Sequence, residues 1–421
     1  MQIKDIKKIN NNTYYYYDDS GVDFVINNTF VFDTSRINSL KAEILSDYLT
    51  TINKKYDSVK KVYNKKRELF SPVLSMFSMS YSNKSLFTIN YRMIDPKIVK
   101  EDYFDDSLEF LHDMIFNPLF IDGKLDSDRV SIIKKDIYDR FINTVKDFYY
   151  EVNTKFDKTV LKGYSNNLLI YDTKEELKKE LDSITDKDII DFYNEIINNH
   201  YKTLLFGKIN KEQINKVLKT IKLKGTNNSK IEKREYIDLQ SEYNEYISKE
   251  YTQSVLHITY NIKNVDKYTT RPYITVLNTF INGLEGLLYQ TLRYKYGLVY
   301  NCGGYMLFRK SNVIVFDASI DKKNKDKTIE AIKEVIEGYK DIKKVEERLD
   351  ITKKKIKQNA YLADEFSYNI FDKVYNYLYN EGLSDKKYIE MINKITAKDI
   401  VEFFSSLDKE NIFFYVGDKD E

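Results

Sequence analysis

The sequence is short of the residues on which disulfide frameworks, metal clusters and broken helices depend. It contains one cysteine, Cys302, three histidines and four prolines in 421 residues. A single cysteine excludes an internal disulfide and a thiolate metal cluster, and it favours a reducing compartment. The scarcity of proline allows long helices that are rarely interrupted.

Signals for export, membrane insertion and nucleic-acid binding are also lacking. The first residues, MQIKDIKKINNNTYYYYDD, contain no apolar core of a secretory signal. No apolar run approaches the roughly 18–20 residues that span a bilayer. Lys plus Arg (67) nearly balances Asp plus Glu (65), which argues against a dedicated nucleic-acid binder. We therefore expect a soluble, cytoplasmic protein with neither membrane nor nucleic acid among its partners.

Two segments half a chain apart share one pattern. Residues 184–193 read ITDKDIIDFY, and residues 395–404 read ITAKDIVEFF. Thr185 and Thr396 are predicted helix N-caps, each followed three residues later by an aspartate that completes a capping box. Each helix precedes an apolar run that ends in glycine, KTLLFG in one copy and NIFFYVG in the other. The recurrence of all these features at one spacing predicts an internal duplication.

Strand and helix patterns are mixed within each half. Alternating apolar residues predict strands at residues 85–91 and 255–260. Amphipathic patterns predict helices within residues 125–160 and 343–380. The prediction is an α+β fold with two homologous domains, each a mostly antiparallel sheet packed against helices.

A polar segment separates the two halves. Residues 222–235, KLKGTNNSKIEKRE, contain few large apolar groups and form the predicted linker. The predicted N-terminal domain is residues 1–221, and the predicted C-terminal domain is residues 236–421.

The most informative segment is GLEGLLYQTLRYKYGLVY, residues 283–300. It is predicted to form a helix with an apolar stripe of leucines: Leu284, Leu287, Leu288 and Leu292. Gly297 is placed for a left-handed C-cap, so Arg293 would lie in the last turn and Tyr300 just beyond it. Together they could hold a peptide carbonyl or a developing oxyanion. The alternative is that Arg293 caps helix carbonyls and Tyr300 is a core aromatic.

The pattern L-R-x-x-x-G-L-x-Y in this segment, preceded by a glycine-containing turn, resembles the C-terminal-domain signature of the pitrilysin/insulinase-type metallopeptidases. That family includes the mitochondrial processing peptidases. Residues 110–137 resemble the family's stretch leading into the helix with its third zinc ligand. The resemblance implies two homologous α+β domains, in agreement with the repeat. It points to the YfmF-like group of small bacterial members, thought to pair with a catalytic relative.

The zinc motif of active family members is missing. They carry H-x-x-E-H on a first-domain helix, where two histidines bind zinc and the glutamate activates the metal-bound water. The corresponding helix is predicted at residues 39–49, SLKAEILSDYL, which contains no histidine. Glu43 and Asp47 could share a face, but carboxylates without imidazole make a poor zinc site. Asp136, near the position expected for the third ligand, is interpreted as a surface acid.

The histidines do not replace that motif. His112, in an amphipathic helical pattern, and His257, in a strand pattern, are interpreted as structural residues, and His200 as a loop residue. None has a second histidine four residues away. We therefore expect no catalytic residue, no metal ligand and no cofactor in this chain.

The resemblance implies a non-catalytic subunit of a heterodimeric zinc metallopeptidase that has no activity on its own. Zinc would lie in an H-x-x-E-H partner. Arg293 and Tyr300 would reach the partner's chamber and hold the backbone of a peptide substrate, which would pair with an exposed strand edge. The alternative is a peptide- or protein-binding scaffold of the same fold without a proteolytic partner. A divergent hydrolase with its own metal is the third option, for which the ligands are lacking.

Overall fold

The computed structural model describes residues 6–18, 21–81, 84–162, 169–223, 225, 237, 239–263, 265–268, 270–306, 312–363 and 385–419. They form two compact units. The first contains residues 6–144 together with 169–223 and 225, and the second contains residues 145–162 and the described residues from 237 onward. Each unit has one mixed β-sheet with helices packed on it.

The strands are β1 (Lys7–Lys8), β2 (Thr13–Tyr17), β3 (Asp23–Asp33), β4 (Val73–Tyr81), β5 (Lys84–Ile94), β6 (Tyr201–Gly207), β7 (Tyr243–Ser248), β8 (Ser254–Ile262), β9 (Val299–Met306), β10 (Val313–Ile320) and β11 (Leu407–Gly417). The strands predicted at residues 85–91 and 255–260 are confirmed as parts of β5 and β8.

The α-helices are α1 (Arg36–Leu49), α2 (Val59–Glu68), α3 (Pro96–Val99), α4 (Phe104–Phe116), α5 (Ser127–Thr144), α6 (Phe148–Thr159), α7 (Lys174–Ser183), α8 (Asp186–Asn198), α9 (Lys211–Thr220), α10 (Val265–Tyr268), α11 (Arg271–Ile281), α12 (Leu287–Tyr289), α13 (Lys325–Gly338), α14 (Ile342–Ala363), α15 (Asp385–Lys394) and α16 (Ala397–Ser405). A π-helical turn spans Gln290–Lys295, and a 3₁₀ turn spans Lys322–Asn324. Among the helices of the described residues, none is both long and apolar enough to cross a membrane.

Five strands of each sheet share one topology, and β1 is an additional edge strand of the first sheet. The strand orders of the two sheets are β1-β2-β6-β3-β5-β4 and β7-β11-β8-β10-β9. In the first unit β6 runs parallel to β2 and antiparallel to β3, and in the second β11 runs parallel to β7 and antiparallel to β8. The remaining pairings are antiparallel, and β4 and β9 lie at corresponding edges. The predicted duplication and the α+β class are therefore confirmed.

The two predicted capping boxes are present. Asp188 Oδ2 accepts a hydrogen bond from the backbone amide of Thr185 at 2.9 Å, and Thr185 Oγ1 accepts one from the backbone amide of Asp188 at 3.3 Å. Thr396 and Asp399 make the same pair at 2.7 and 3.3 Å. Each box satisfies backbone donors that a helix start leaves unpaired, so α8 and α16 begin at equivalent residues.

The helix predicted at residues 39–49 is confirmed as α1, which starts a few residues earlier because Ser35 caps it. Ser35 Oγ accepts a hydrogen bond from the backbone amide of Asn38 at 3.1 Å. One face of α1 is buried in the core of the first unit, with the side chains of Leu40, Ile44, Leu45, Tyr48 and Leu49 at most 4% exposed. The opposite face carries Glu43 and Asp47.

The helical pattern predicted within residues 125–160 is confirmed, and two helices occupy it. The helix α5 ends at Thr144, and α6 begins after Asp147. The carboxylate of Asp147 accepts a hydrogen bond from the backbone amide of Tyr150 at 2.9 Å. This N-cap makes a new helix start favourable at that point.

The break between α5 and α6 coincides with the division into units. Val152 and Phe156 of α6 pack with Val255 and Phe413 of the second unit's sheet. Residues 145–162 therefore pack with the second unit, although they precede the predicted linker. Most of the linker itself, residues 222–235, lies outside the described residues, so its role stays a prediction. In the stretch predicted at residues 343–380, α14 is confirmed, and the part beyond residue 363 lies outside the described residues.

Candidate functional site

The segment of residues 283–300 forms a turn, a short helix and the start of an edge strand. The helix α12 passes directly into the π-helical turn Gln290–Lys295. The backbone amide of Tyr296 donates to Thr291 O, five residues back, at 3.1 Å, and the amide of Leu298 donates to Leu292 O at 2.9 Å. Such widened turns are rare and recur near functional sites.

Gly297 ends this helix in the left-handed conformation that the sequence predicted. Its φ is +61°, which glycine adopts without steric cost. The predicted leucine stripe is correct for Leu288 and Leu292, which are buried, and wrong for Leu284. Leu284 lies in the turn before α12 and is exposed, because the helix begins later than predicted.

Arg293 is tied to the start of β9. Its Nη1 donates a hydrogen bond to Val299 O at 2.5 Å. The pairing of β9 with β10 shifts at this point, since Asn301 lies opposite Ser319 and Val299 opposite Ile320. Tyr300 is therefore the extra residue of a β-bulge, a feature that redirects a side chain. The contact of Arg293 is with a strand carbonyl rather than a carbonyl of its own helix.

Tyr300 projects into solvent. Its side chain is 67% exposed, so it is not a core aromatic. Among the described residues, none forms a hydrogen bond with the hydroxyl of Tyr300. Close to it in sequence, Lys295 Nζ and Tyr296 Oη both donate hydrogen bonds to the carboxylate of Glu334 at 2.7 Å. The structure thus holds the polypeptide around Tyr300 while leaving the phenol available.

One side of the edge strand β9 is partly covered. The backbone amide of Gly304 donates to Asn282 Oδ1 at 2.9 Å, and Gly304 O accepts from Asn282 Nδ2 at 2.6 Å. The amide of Met306 donates to Asn278 Oδ1 at 3.0 Å. By the two-residue period of a strand, the backbone groups of Cys302 face the same side. Among the described residues none is hydrogen-bonded to these groups of Cys302, so the uncovered part of this edge is the part that follows Tyr300.

Cys302 is partly buried, which disfavours the thiolate form of its side chain. Burial, with the nearby carboxylate of Asp317 as a further cause, raises the pKa of its thiol to about 12. The thiol is therefore protonated at neutral pH, and the thiolate is the reactive form.

The helix α1, which the sequence predicts to be the counterpart of the family's zinc helix, carries an arginine contact. Arg140 Nη2, from α5, lies 2.7 Å from Glu43 Oε1 and 3.4 Å from Asp47 Oδ2 of α1. Both carboxylates face the guanidinium, and no imidazole is present. These residues do not fit a zinc ion. Asp136 is exposed on α5. Across the parts of the chain that the structure describes, no group of three or more His, Cys, Asp or Glu residues is arranged to hold a metal.

The three histidines lie on different elements. His112 is on α4, partly exposed and packed on the ring of Phe116. His200 is a loop residue, and burial lowers its pKa. His257, on β8, is 3% exposed and contacts the rings of Phe156 and Phe413. The interpretation of His112 and His257 as structural residues agrees with these contacts.

The sequence did not predict the contacts of Arg140 with α1 or those of Asn278 and Asn282 with β9. The only local signal for Asn282 is its place between a helical pattern and Gly283, where asparagine often ends a helix. Arg140 follows Asp136 by one helical turn, but its contacts with Glu43 and Asp47 join positions far apart in sequence. No spacing rule predicts such a contact.

Comparisons with known proteins agree on one fold. Residues 183–356 match the family model of the peptidase M16 inactive domain. A conserved protein from Enterococcus faecalis is similar over 100% of both chains, with 18% identity and a TM-score of 0.82. A protease from Helicobacter pylori is similar over 98% of this chain and 99% of its own, with 14% identity and a TM-score of 0.72.

A third solved structure is itself described as a peptidase M16 inactive domain, from Pseudomonas fluorescens. It covers 97% of both chains, with 12% identity and a TM-score of 0.69. Among curated proteins, none is similar enough in sequence to count as a relative. At these identities the structural likeness establishes the fold.

Proposed function

We propose that the chain, whose residues 183–356 match the peptidase M16 inactive domain, is a pitrilysin-like member of that family and the non-catalytic subunit of a two-subunit zinc metallopeptidase. The observation that carries the proposal is that Arg293 is hydrogen-bonded to Val299, the residue that precedes the exposed Tyr300, at the open end of an edge strand. In this proposal an H-x-x-E-H relative supplies the zinc and the chemistry. This chain supplies contacts to the substrate backbone.

The contact of Arg293 supports a positioning role. One nitrogen of the guanidinium binds Val299 O, which holds the side chain beside the residue that precedes Tyr300. An arginine carries five N–H donors in a fixed fork, so others remain for a substrate carbonyl. The charge would favour an oxygen that becomes more negative as the peptide bond is attacked.

The edge strand supports peptide binding next to that pair. An extended peptide adds to a sheet edge through backbone hydrogen bonds, with limited dependence on sequence. The side chains of Asn278 and Asn282 already satisfy backbone groups of Met306 and Gly304. A peptide would therefore pair with β9 near Cys302 and come to the phenol of Tyr300.

The contacts of α1 in the first unit support the proposal that a partner subunit supplies the metal. At the helix α1 a guanidinium neutralises Glu43 and Asp47, so a partner has to provide the metal and its activated water. The reducing compartment favoured by the single cysteine is compatible with a cytoplasmic complex. Membership of the YfmF-like group is part of the proposal.

The test is to co-purify the chain with an H-x-x-E-H relative from the same genome and to measure cleavage of an unfolded polypeptide. Tyr300→Phe removes one hydroxyl, and Arg293→Lys keeps the charge but loses the fork. We expect each to lower kcat/KM of the complex by about tenfold or more, as loss of one transition-state donor does. Complex formation should be unchanged.

The matched control is Tyr294→Phe, because Tyr294 lies in the same segment and is similarly exposed, at 65%. It should leave cleavage unchanged. Undiminished cleavage by both Tyr300→Phe and Arg293→Lys would remove the proposed contact. A chain that binds peptide but never associates with the relative would instead support a scaffold without a proteolytic partner.

A further inference from the structure

The carboxylate of Asp317 lies over a glycine of the edge strand β9. Asp317 is on β10, directly opposite Gly303 of β9. Its Oδ1 lies 2.9 Å from the position that a Cβ would take at Gly303. The side chain therefore extends across β9 towards the outer edge of the sheet, through space that another residue at position 303 would fill. Both residues are partly exposed, and glycine within a strand often marks a place where a ligand approaches closely.

Asn282 brings a second oxygen to the same place. Its Oδ1 lies 3.3 Å from the Cβ position at Gly303. The orientation of this carboxamide is fixed by Gly304, because the amide of Gly304 can only donate and lies 2.9 Å from Oδ1. A carboxamide oxygen has two lone pairs, so Asn282 Oδ1 can accept a second hydrogen bond. Two acceptors, one of them a carboxylate, thus converge on the space above Gly303.

The carboxylate of Asp317 lacks a cation. In the described part of the chain it forms no ion pair, and the hydrogen bond that it accepts comes from its own backbone amide. Burial raises the pKa of Asp317, because the charged form loses water without gaining a positive partner. His257 lies opposite on β8, but burial lowers its pKa to about 3 and keeps it neutral. A cationic ligand would supply the missing charge.

A peptide paired with β9 brings a side chain to this place. The backbone groups of Cys302 face outwards, so the neighbour of the peptide residue opposite Cys302 lies beside Gly303. Its side chain points to the face of the sheet that carries Asp317. Neighbouring Cβ positions are about 5 Å apart, which puts the peptide Cβ within about 8 Å of Asp317 Oδ1. The four bonds from Cβ to Nζ of an extended lysine span about 5 Å, so its amine comes within ion-pair distance.

We propose that Asp317, with Asn282 Oδ1 beside it, binds the positive charge of a lysine or arginine side chain in the peptide substrate. The inference rests on the proposed function for the peptide that pairs with β9. Arg293 and Tyr300 contact the backbone and accept many sequences, whereas Asp317 selects a peptide by its charge. A peptide N-terminus carries a similar charge, and the experiment distinguishes it from a side chain.

The test titrates the full chain, without the partner subunit, with short peptides in an isothermal calorimeter. Three N-acetylated peptide amides differ at one central residue, which is lysine, norleucine or glutamate. Norleucine keeps the carbon chain of lysine and removes the charge. The fourth is the norleucine peptide with a free N-terminus. Uniform threonine and serine flanks allow each peptide to take any register along β9.

The proteins are the natural chain, Asp317→Asn, Gly303→Ala and the control Glu330→Gln. Glu330 is exposed on α13, so its substitution makes the same change of charge away from β9. We expect the natural chain to bind the lysine peptide about tenfold or more tightly than the norleucine peptide, the effect of one charged hydrogen bond. Glutamate should bind most weakly.

Asp317→Asn should abolish the preference for lysine, and Glu330→Gln should keep it. Gly303→Ala should weaken the preference although the carboxylate remains, because the methyl group takes the space between the two oxygens. Equal binding of the lysine and norleucine peptides, binding of neither, or an unchanged preference in Asp317→Asn would overturn the inference. Tighter binding of the peptide with a free N-terminus than of the lysine peptide would overturn the assignment to a side chain.

Melting temperatures of the variants show that they are folded. Asp317→Asn should not lower the melting temperature, because it removes a carboxylate whose charged form burial disfavours. The two proposals fail separately. A complex that needs Tyr300 for cleavage but cleaves lysine and norleucine peptides equally well would contradict the inference alone. A chain that prefers the lysine peptide but never supports cleavage would contradict the proposed function alone.

Discussion

The imidazole of His257 packs edge-on against the ring of Phe156, with 4.4 Å between the ring centroids. Its Nδ1 has no hydrogen-bond partner in the described structure. Burial among aromatic rings disfavours the charged form and lowers the pKa of His257 from 6.5 to about 3. The folded protein therefore keeps this histidine neutral through a pH range in which the unfolded chain protonates it.

The free energy of unfolding should fall as the pH is lowered from 6.5 towards 3, because the unfolded state binds the proton first. The contribution of one such group is at most about 1.4 kcal/mol per pH unit. His257→Phe should remove this contribution. Urea unfolding of His257→Phe and of the natural chain at several pH values measures this contribution as the difference between their free energies of unfolding.

The comparison of His257→Phe with the natural chain separates the effect of His257 on stability from that of Asp157, a partly buried aspartate of the second unit. Burial raises the pKa of Asp157 to about 6 and raises that of Asp317, so both act in the opposite direction, favouring the fold in acid. Asp157 is present in both proteins and cancels, whereas Asp317 lies opposite His257 in the pairing of β8 with β10, so the substitution also changes its surroundings. Parallel pH profiles for His257→Phe and the natural chain would show that the histidine does not cause the acid sensitivity.

Two glycines should differ in their tolerance of alanine. Gly297→Ala should lower the free energy of unfolding by about 1 kcal/mol, since φ is +61° but nothing lies within 4 Å of the added Cβ. Gly207→Ala should cost more, because its Cβ would lie 2.6 Å from Asp23 O. Gly297→Asn is the control with a smaller loss. Equal losses in denaturant unfolding at the two glycines would contradict this account.

The repeated capping boxes should contribute similarly to stability. Thr185→Ala and Thr396→Ala should each cost about 1 kcal/mol in unfolding experiments, the usual effect of losing an N-cap. Asp399 has an additional partner, Lys267, whose Nζ lies 2.6 Å from its carboxylate. Asp399→Ala should therefore destabilise the protein more than Asp188→Ala. The reverse order would show that the ion pair contributes nothing.

The arginine contact on α1 should contribute little to stability. Arg140, Glu43 and Asp47 are each about half exposed, and pairs of this kind contribute less than about 1 kcal/mol. Arg140→Gln should change the melting temperature slightly and should not create zinc binding. Equilibrium dialysis with zinc checks the second point. Stoichiometric zinc in either protein would contradict the assignment of the metal to a partner.

Local chemistry explains which parts of the fold were predictable. The capping boxes at Thr185 and Thr396 and the left-handed Gly297 depend on residues within one or two turns. The strands β5 and β8 follow from their own alternation of side chains. Each of these signals is contained in the segment that it describes, so the sequence alone is sufficient.

Contacts between distant residues explain what could not be predicted. The bulge at Tyr300 arises from the register of β9 against β10, which the sequence of β9 does not specify. The contacts of Asn282 with Gly304 and of Arg140 with Glu43 join different elements. For the candidate site, the sequence therefore indicated Arg293 and Tyr300 as residues but not the bond from Arg293 to Val299.

The position of α6 has a practical consequence for dividing the protein. This helix precedes the predicted linker, yet Val152 and Phe156 cover apolar residues of the second unit's sheet. A fragment of residues 236–421 would lack that cover and expose Val255, Val313 and Phe413 to solvent. Truncation at the linker should thus yield an aggregating fragment, and adding residues 145–162 in trans should restore its solubility. We therefore expect that residues 236–421 do not form a complete folding unit by themselves.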